Sequence, residues 1–245
     1  WDSTVAVGYS VGAYATGVVD SIMIGKHAGH QSTASIDAIA IGHYSRIAGN
    51  ASIAIGTAAG TLSIFNSGIA IGWRAGYESW NDDGIMIGSE AGLKADEGVG
   101  RHASGIMIGA RAGSYADFCG NLIALGKDAA SYAKAASGVI IGHDAGYGAG
   151  TPLRTEGAFE RGGPVNGAVF MGSGVGSYVE NSEHVTLIGS DAGSGIQNSN
   201  WLDVVGYAAG RQMHNCSGIV AIGRSAGRQA GTKLTDGSLQ IGDVD

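Results

Sequence analysis

The stretch "SIAIGTAAG" at residues 52–60 contains the pattern that decides the fold of this chain. Isoleucine, alanine and isoleucine alternate before Gly56, and a second glycine follows at Gly60. Alternation with a period of two is typical of a short β-strand, because successive side chains of a strand point to opposite faces. Glycine tolerates sharp backbone turns, so the second half of the phrase predicts a tight corner directly after the strand.

The same phrase recurs along the whole chain, most often at intervals of 16 or 17 residues. Fourteen glycines close a strand-like segment of this kind: Gly8, Gly25, Gly42, Gly56, Gly72, Gly88, Gly109, Gly126, Gly142, Gly172, Gly189, Gly206, Gly223 and Gly242. Four residues further on, glycine recurs in every complete copy except two, which carry Arg46 and Ala130. A phrase repeated at this interval is typical of a solenoid, whose coils bury their apolar faces against one another. We therefore predict an all-β fold, a parallel β-solenoid (β-roll) of about 14 coils that forms a single domain over residues 1–245.

Each predicted strand has apolar residues on both faces, which indicates that both faces are buried. We expect Ile53 and Ile55 to fill the interior of their coil and Ala54 to face a second buried surface. In a slender solenoid that surface is most simply another copy of the chain, and we predict a homotrimer. A dimer, or cover by a helix or loop of the same chain, is the alternative. The predicted interface consists of the central strand residues Ala40, Ala54, Ala70, Met86, Met107 and Ala124.

Composition excludes several classes of function. The chain has 45 glycines, only two prolines and a net charge of −7, and it contains no run of lysine or arginine, so we predict no nucleic-acid partner. Its apolar runs are far shorter than the roughly 20 residues of a transmembrane helix, so no membrane insertion is predicted. Cys119 and Cys216 are too few and too far apart to indicate a disulfide framework. Because the chain begins with Trp1, we interpret it as a piece of a longer or processed polypeptide.

The phrases "SIAIGTAAG" (52–60) and "GIAIGWRAG" (68–76) resemble the "SVAIG" repeats in the head domains of trimeric autotransporter adhesins. Similar repeats occur in the trimeric tail fibres and tail spikes of bacteriophages. The resemblance implies three left-handed parallel β-rolls side by side, and an extracellular location on a virion tail fibre or a bacterial cell surface. The repeat is longer here than in the adhesin heads, so wider coils are expected. Neither family supplies a catalytic motif that matches positions of this chain.

Two intervals exceed the repeat length, and we predict insertions or a degenerate coil at 92–104 and 146–167. Loops that leave a rigid scaffold commonly carry binding function. The charged binding candidates in these segments are Arg101, His102, Arg154, Glu156, Glu160 and Arg161. The pair Glu156 and Glu160 would also suit a polysaccharide-degrading glycosidase, although nothing in the spacing requires that chemistry.

Aromatic residues at the predicted corners are the second group of candidates. Tyr44 and Trp73 lie just after a strand-closing glycine, where side chains should point outward, and exposed aromatic faces suit sugar rings. For the tyrosines we favour a packed ladder between coils or subunits. Tyr44, Trp73, Trp80 and Trp201 remain candidates for glycan contact. The histidines are scattered, and a zinc site needs three or four ligands, so neither a metal nor another cofactor is predicted.

Together these patterns predict a segment of an extracellular trimeric fibre or adhesin that attaches to a host cell-surface receptor. The expected partners are further copies of the chain and a cell-surface polysaccharide or outer-membrane receptor. We predict that the chain is not an enzyme. The alternatives are a tail-spike polysaccharide depolymerase and a purely structural fibre shaft.

Overall fold

A computed structural model describes residues 3–33, 35–47, 49–63, 66–79, 83–95, 104–116, 121–133, 137–149, 167–177, 179, 184–196, 200–213, 217–228 and 239–242. Over these residues the chain is all-β, and parallel strands follow one another as the rungs of a solenoid. The predicted fold class is therefore confirmed. The chain divides into two compact units, Trp1–Tyr115 and Ala116–Asp245. The prediction of a single domain over residues 1–245 stays a prediction.

Among its described residues the first unit contains seven strands of three residues each, and these pair in parallel in chain order. The register is constant, so that Ala54 lies beside Ala70 and Ile55 beside Ile71. Each of these short strands ends directly before a strand-closing glycine. The strands are β1 (Val5–Val7), β2 (Ile22–Ile24), β3 (Ile39–Ile41), β4 (Ile53–Ile55), β5 (Ile69–Ile71), β6 (Ile85–Ile87) and β7 (Ile106–Ile108).

In the part of the second unit that the structure describes, seven further strands of three to six residues again pair in parallel in chain order. Some of its inward-facing strand residues are branched or aromatic, and Phe170, Leu187 and Val204 are fully buried. The strands are β8 (Asn121–Leu125), β9 (Ser137–Ile141), β10 (Ala168–Met171), β11 (Val185–Ile188), β12 (Asn200–Val205), β13 (Ser217–Ile222) and β14 (Leu239–Ile241).

The predicted orientation of the strands is wrong. In β4 the central Ala54 is only 2% exposed, whereas Ile53 and Ile55 are half-buried and face outward. The predicted interface residues Ala40, Ala54, Ala70, Met86, Met107 and Ala124 all lie inside their own coil, at 0–2% exposure, where no second chain can reach them. A period of two identifies the residues that share a face, but it does not say which face is inside.

The width of the coil explains this orientation. Opposite the strand, the third residue after each strand-closing glycine also points inward, and it is a buried alanine in most rungs, as at Ala59, Ala75 and Ala91. Buried serines such as Ser52 and Ser63 occupy further inward positions. Interiors are close-packed, so a coil lined by such small residues is too narrow for two isoleucines per strand. The isoleucines therefore face outward.

The strand-closing glycine is required by the stacking of the rungs. Gly88 has φ +134°, a conformation that residues with a Cβ rarely adopt. A Cβ added to Gly88 would lie 2.5 Å from the carbonyl oxygen of Gly109 on the next rung, which is backbone and cannot move aside. The recurrence of this glycine is thus a consequence of close backbone contact between coils.

The second glycine of the phrase has a different role, because it makes room for the inward strand residue. A Cβ added to Gly92 would lie 2.8 Å from Cγ of Met86 and closer still to its sulfur. The two copies without this glycine have Arg46 and Ala130 instead. In the strands that precede them, the inward residue two positions before the strand-closing glycine is alanine, Ala40 in β3 and Ala124 in β8. A small central residue therefore makes the second glycine dispensable.

This relation predicts a strong coupling between Gly92→Ala and Met86→Ala. Gly92→Ala alone should destabilise by roughly 2–4 kcal/mol, from the positive φ and from overlap with Met86. Met86→Ala alone should cost roughly 2–5 kcal/mol through the cavity it leaves. The double variant recreates the pairing of small residues seen at Ala124 and Ala130, and should be at least about 1 kcal/mol more stable than the sum of the single effects. Denaturant unfolding of the four proteins measures this coupling, and additive effects would refute it.

Candidate functional site

The outward residues after each strand-closing glycine form a continuous corner face on the first unit. The corner face consists of the first, second and sixth residues after each of these glycines, and of the fifth residue where its side chain is not buried. The fifth residues Ile47, Leu93 and Ser114 are buried and do not belong to it. Second-position residues such as His27, Tyr44 and Arg74 have positive φ values near +55°. Backbone hydrogen bonds join successive rungs here, from His27 N to Tyr9 O (2.9 Å) and from Tyr44 N to Lys26 O (3.1 Å). The corner side chains are therefore held in columns, one rung apart.

Six rings gather on the first three rungs of this face. We call them the tyrosine–histidine cluster, and its members are Tyr9, Tyr14, His27, His30, His43 and Tyr44. His27 lies at its centre, stacked on Tyr44 with ring centroids 4.7 Å apart and an interplanar angle of 16°. Tyr9 meets His27 edge-on at 5.7 Å, and Tyr14 meets His30 edge-on at 5.6 Å. Because Tyr9 and Tyr14 are 72% and 82% exposed, the cluster is an open aromatic surface.

The imidazole of His27 lies in a cationic environment. Burial lowers the pKa of His27 below its usual 6.5, and the neighbouring Lys26, His30 and His43 lower that pKa further. The Nδ1 atom of His27 is buried and has no hydrogen-bond partner in the structure. The neutral imidazole is therefore favoured at neutral pH, and its buried nitrogen lacks a partner.

A second cluster lies further along the same face, around an exposed tryptophan. Trp73 is 51% exposed, and the Arg74 guanidinium lies 5.4 Å from its ring and 4.7 Å from the ring of Tyr77. Arg74 Nη1 also pairs with Glu90 Oε1 at 3.2 Å. Cation–π contacts and the ion pair together fix the guanidinium beside the indole. We call Trp73, Arg74, Tyr77 and Glu90 the tryptophan–arginine cluster.

The ionisation of the groups beside this cluster is also fixed by contacts. Lys94 Nζ lies 2.9 Å from Glu78 Oε2, and its hydrogen bond is the main reason why the pKa of Glu78 is lowered. Burial, followed by a hydrogen bond with Glu78, raises the pKa of Tyr77. Two carboxylates and two cations therefore balance here at neutral pH. A balanced set of donors and acceptors beside an exposed indole suits hydrogen bonding to neutral sugar hydroxyls.

The predicted outward direction of the corner side chains is confirmed for Tyr44 and Trp73, which are 44% and 51% exposed. In the second unit, Trp201 is 65% exposed, and its ring lies 5.3 Å from that of His184. The remaining predicted binding residues lie outside the described residues, and their roles stay predictions: Trp80, Arg101, His102, Arg154, Glu156, Glu160 and Arg161.

Sequence reasoning missed the grouping of the histidines, because it treated them as scattered along the chain. His27 and His30 lie on one rung and His43 on the next, with ring centroids 6.0 and 6.3 Å from that of His27. Counting from the strand-closing glycine would have found the relation, since His27 and Tyr44 hold the same second position one rung apart. The position of each residue relative to its strand-closing glycine therefore predicts the contact, whereas the intervals between the histidines do not.

Within the described part of the chain, one group of side chains has the spacing of metal ligands. Single ligand atoms of Asp128, His143 and Asp144 lie within 4.8 Å of one another. Nδ1 of His143 is 3.0 Å from Oδ2 of Asp144, and Nζ of Lys127 is 4.0 Å from Oδ2 of Asp128. Each of the two carboxylates therefore has a nitrogen-bearing neighbour in the structure.

The outward strand residues form a second surface, which we call the aliphatic stripe of the first unit. All of its members are valine or isoleucine: Val5, Val7, Ile22, Ile24, Ile39, Ile41, Ile53, Ile55, Ile69, Ile71, Ile85, Ile87, Ile106 and Ile108. Some of them are half-buried by their neighbours, and others are exposed, such as Ile24 at 38% and Val7 at 55% exposure. The equivalent columns of the second unit are interrupted by Thr186 and the exposed Asp203. The uninterrupted apolar stripe is thus a property of the first unit.

These features define the chain as a parallel β-solenoid repeat protein with an aliphatic sheet face and an aromatic corner face. Comparison with protein-family models, with curated proteins and with solved structures finds no match for it. Among the described residues, no helix is long and apolar enough to cross a membrane.

Proposed function

We propose that this chain is a segment of an extracellular homotrimeric fibre or adhesin that attaches to a glycan on a host cell surface. The observation that carries the proposal is the aliphatic stripe of the first unit. It presents fourteen valine and isoleucine side chains without a polar interruption. Monomeric proteins rarely leave so regular an apolar surface in contact with water, and such patches mark interaction sites.

The size of the stripe supports contact with further copies of the chain. With strands about 4.8 Å apart, the stripe runs roughly 29 Å from β1 to β7. Each outward isoleucine or valine that becomes fully covered gains part of the roughly 1.5–3 kcal/mol available from its burial. Fourteen such gains offset the entropy lost on association. The partner with matching length, spacing and chemistry is another copy of the same stripe.

The two-column form of the stripe supports three subunits rather than two. Each rung has one outward residue at the start of the strand and one at its end, as at Ile53 and Ile55. Around a threefold axis, one column can contact one neighbour while the other column contacts the second. This arrangement replaces the interface first predicted from the buried central residues.

The corner face supports attachment to a glycan. It uses residues that follow the strands, so the stripe and the corner face have no residue in common. Exposed aromatic rings such as Tyr9, Tyr44 and Trp73 offer flat surfaces for sugar rings, with polar groups beside them. Rigid columns of side chains bind with little loss of conformational entropy.

Native mass spectrometry and a glycan array test this proposal. We expect a mass of three chains and saturable binding to a subset of cell-surface glycans. Trp73→Ala should weaken binding of neutral glycans by about tenfold or more, while leaving the mass unchanged, since the exposed indole contributes to contact and not to folding. A matched control is Thr57→Ala, at an exposed first position without an aromatic ring. A single-chain mass, or release of reducing ends from the bound polysaccharide, would contradict the proposal.

A further inference from the structure

We infer that the tyrosine–histidine cluster binds an acidic glycan, with sugar rings against its aromatic faces and the anionic group on its nitrogen donors. This inference rests on the proposed function and names the ligand chemistry of one part of the corner face. It differs from the expectation for the tryptophan–arginine cluster, where charges are balanced and a neutral sugar is the fitting ligand.

The charge of this part of the corner is the first argument. The whole chain is acidic, with a net charge of −7, yet residues 3–77 contain only two acidic residues, Asp20 and Asp37. Both lie in the turn before a strand, five residues ahead of the strand-closing glycine, and not on the corner face. The groups that act electrostatically on His27 are Lys26, His30 and His43, all of them cationic when protonated. An anion would meet attraction here and no carboxylate.

Unsatisfied polar atoms are the second argument. His27 Nδ1 and Arg46 Nε are buried and have no hydrogen-bond partner. Arg46 lies on the rung that follows His30, as the hydrogen bond from Gly29 N to Ser45 O (2.8 Å) shows. Burial also lowers the pKa of Arg46, as expected for a guanidinium without a counter-ion. The two buried atoms themselves are out of reach of a ligand, but a carboxylate or sulfate at the exposed surface of the cluster would supply the opposite charge that these side chains lack.

The aromatic faces are the third argument, and they favour a sugar over a simple anion. Tyr9, Tyr14 and Tyr44 are 72%, 82% and 44% exposed and surround the nitrogen donors. Tyrosine pairs a broad apolar ring with a polar hydroxyl, which matches the C–H face and the hydroxyls of a pyranose. A small inorganic anion would use the cations and leave these rings without a contact.

The inference predicts that binding tightens as the pH falls. A bound anion favours the protonated imidazoles, so binding takes up protons. For His27, whose pKa is lowered in the free protein, this gain comes mainly below pH 6.5. We expect the affinity to rise about tenfold between pH 7.5 and pH 5.5, as one additional imidazolium per site would produce.

The test uses the full chain and four immobilised probes at pH 5.5 and pH 7.5. The probes are oligogalacturonate, its methyl ester, a heparin oligosaccharide and poly-glutamate. We expect the chain to bind oligogalacturonate or the heparin oligosaccharide. Binding of the first identifies a carboxylate as the anionic group of the ligand, and binding of the second alone identifies a sulfate. We expect no binding of the methyl ester or of poly-glutamate. The variant His30→Phe/His43→Phe keeps the rings, avoids the positive-φ positions and should at least halve the pH effect, with His27 responsible for the remainder. His143→Phe removes an exposed imidazole at a first corner position outside the cluster, and as the matched control it should leave this binding unchanged.

Several results would overturn the inference. Equal binding of oligogalacturonate and its methyl ester would remove the role of charge, and equal binding of poly-glutamate would remove the role of the sugar. Absence of binding to both acidic glycans at pH 5.5 would also refute the inference. Loss of binding in His143→Phe would refute it too, because that imidazole lies outside the cluster. A chain that assembles and binds only neutral glycans would refute this inference and leave the proposed function intact. A monomer that binds oligogalacturonate through His30 and His43 would support this inference and refute the proposed trimer.

Discussion

Gly88→Ala is expected to prevent the first unit from folding. The new Cβ would lie 2.5 Å from the carbonyl oxygen of Gly109, and neither backbone can yield without breaking the contact between adjacent rungs. The φ of +134° adds strain that alanine does not tolerate. We expect a loss of more than about 4 kcal/mol, seen as insoluble protein or as a large fall in the midpoint of thermal unfolding followed by circular dichroism.

A glycine with positive φ and free space around it provides the matched control. Gly167 has φ +69°, and nothing lies within 4 Å of a Cβ built there. Gly167→Ala should therefore cost only about 1–2 kcal/mol, the strain of the left-handed conformation. If the two alanine variants unfold at the same temperature, stacking of the rungs is not the reason for the strand-closing glycine.

The variant Ile55→Lys/Ile71→Lys is expected to convert the proposed trimer into folded monomers. These two residues are neighbours in register on the aliphatic stripe and point outward, so the fold of one chain tolerates lysine there. In a covered stripe, each ammonium would be buried without a partner, at a cost of several kcal/mol per chain. We expect the native mass to fall from three chains to one while the circular dichroism spectrum stays unchanged.

Two controls separate loss of assembly from loss of fold. Thr57→Lys/Ser89→Lys adds the same charge at exposed corner positions of the same unit and should leave the mass unchanged. Ala70→Lys places the charge inside the coil, where the side chain is 0% exposed, and should unfold the unit. A trimer that persists in the stripe variant would show that the copies associate through another surface.

The candidate site illustrates what one sequence can predict. The outward direction of Tyr44 and Trp73 followed from their place just after a strand-closing glycine, because a tight corner leaves its side chains no interior to enter. The stacking contact between His27 and Tyr44 was not predicted from this position, although both residues are the second residue after a strand-closing glycine. That contact depends on rung-to-rung stacking and on rotamers, which spacing along the chain does not express.

The sequence by itself determined the strands, their parallel order and the positions of the corners, because a repeated period of two followed by glycine permits few other backbones. It did not determine which side of the strand is inside. Ile53 and Ala54 are both apolar, and hydrophobicity alone favours the larger residue for the core. Only the tertiary structure shows that the opposite wall is made of alanine and serine, so the coil closes around Ala54 and leaves the isoleucines outside. The available volume, and not the hydrophobicity of the residues, decided the face.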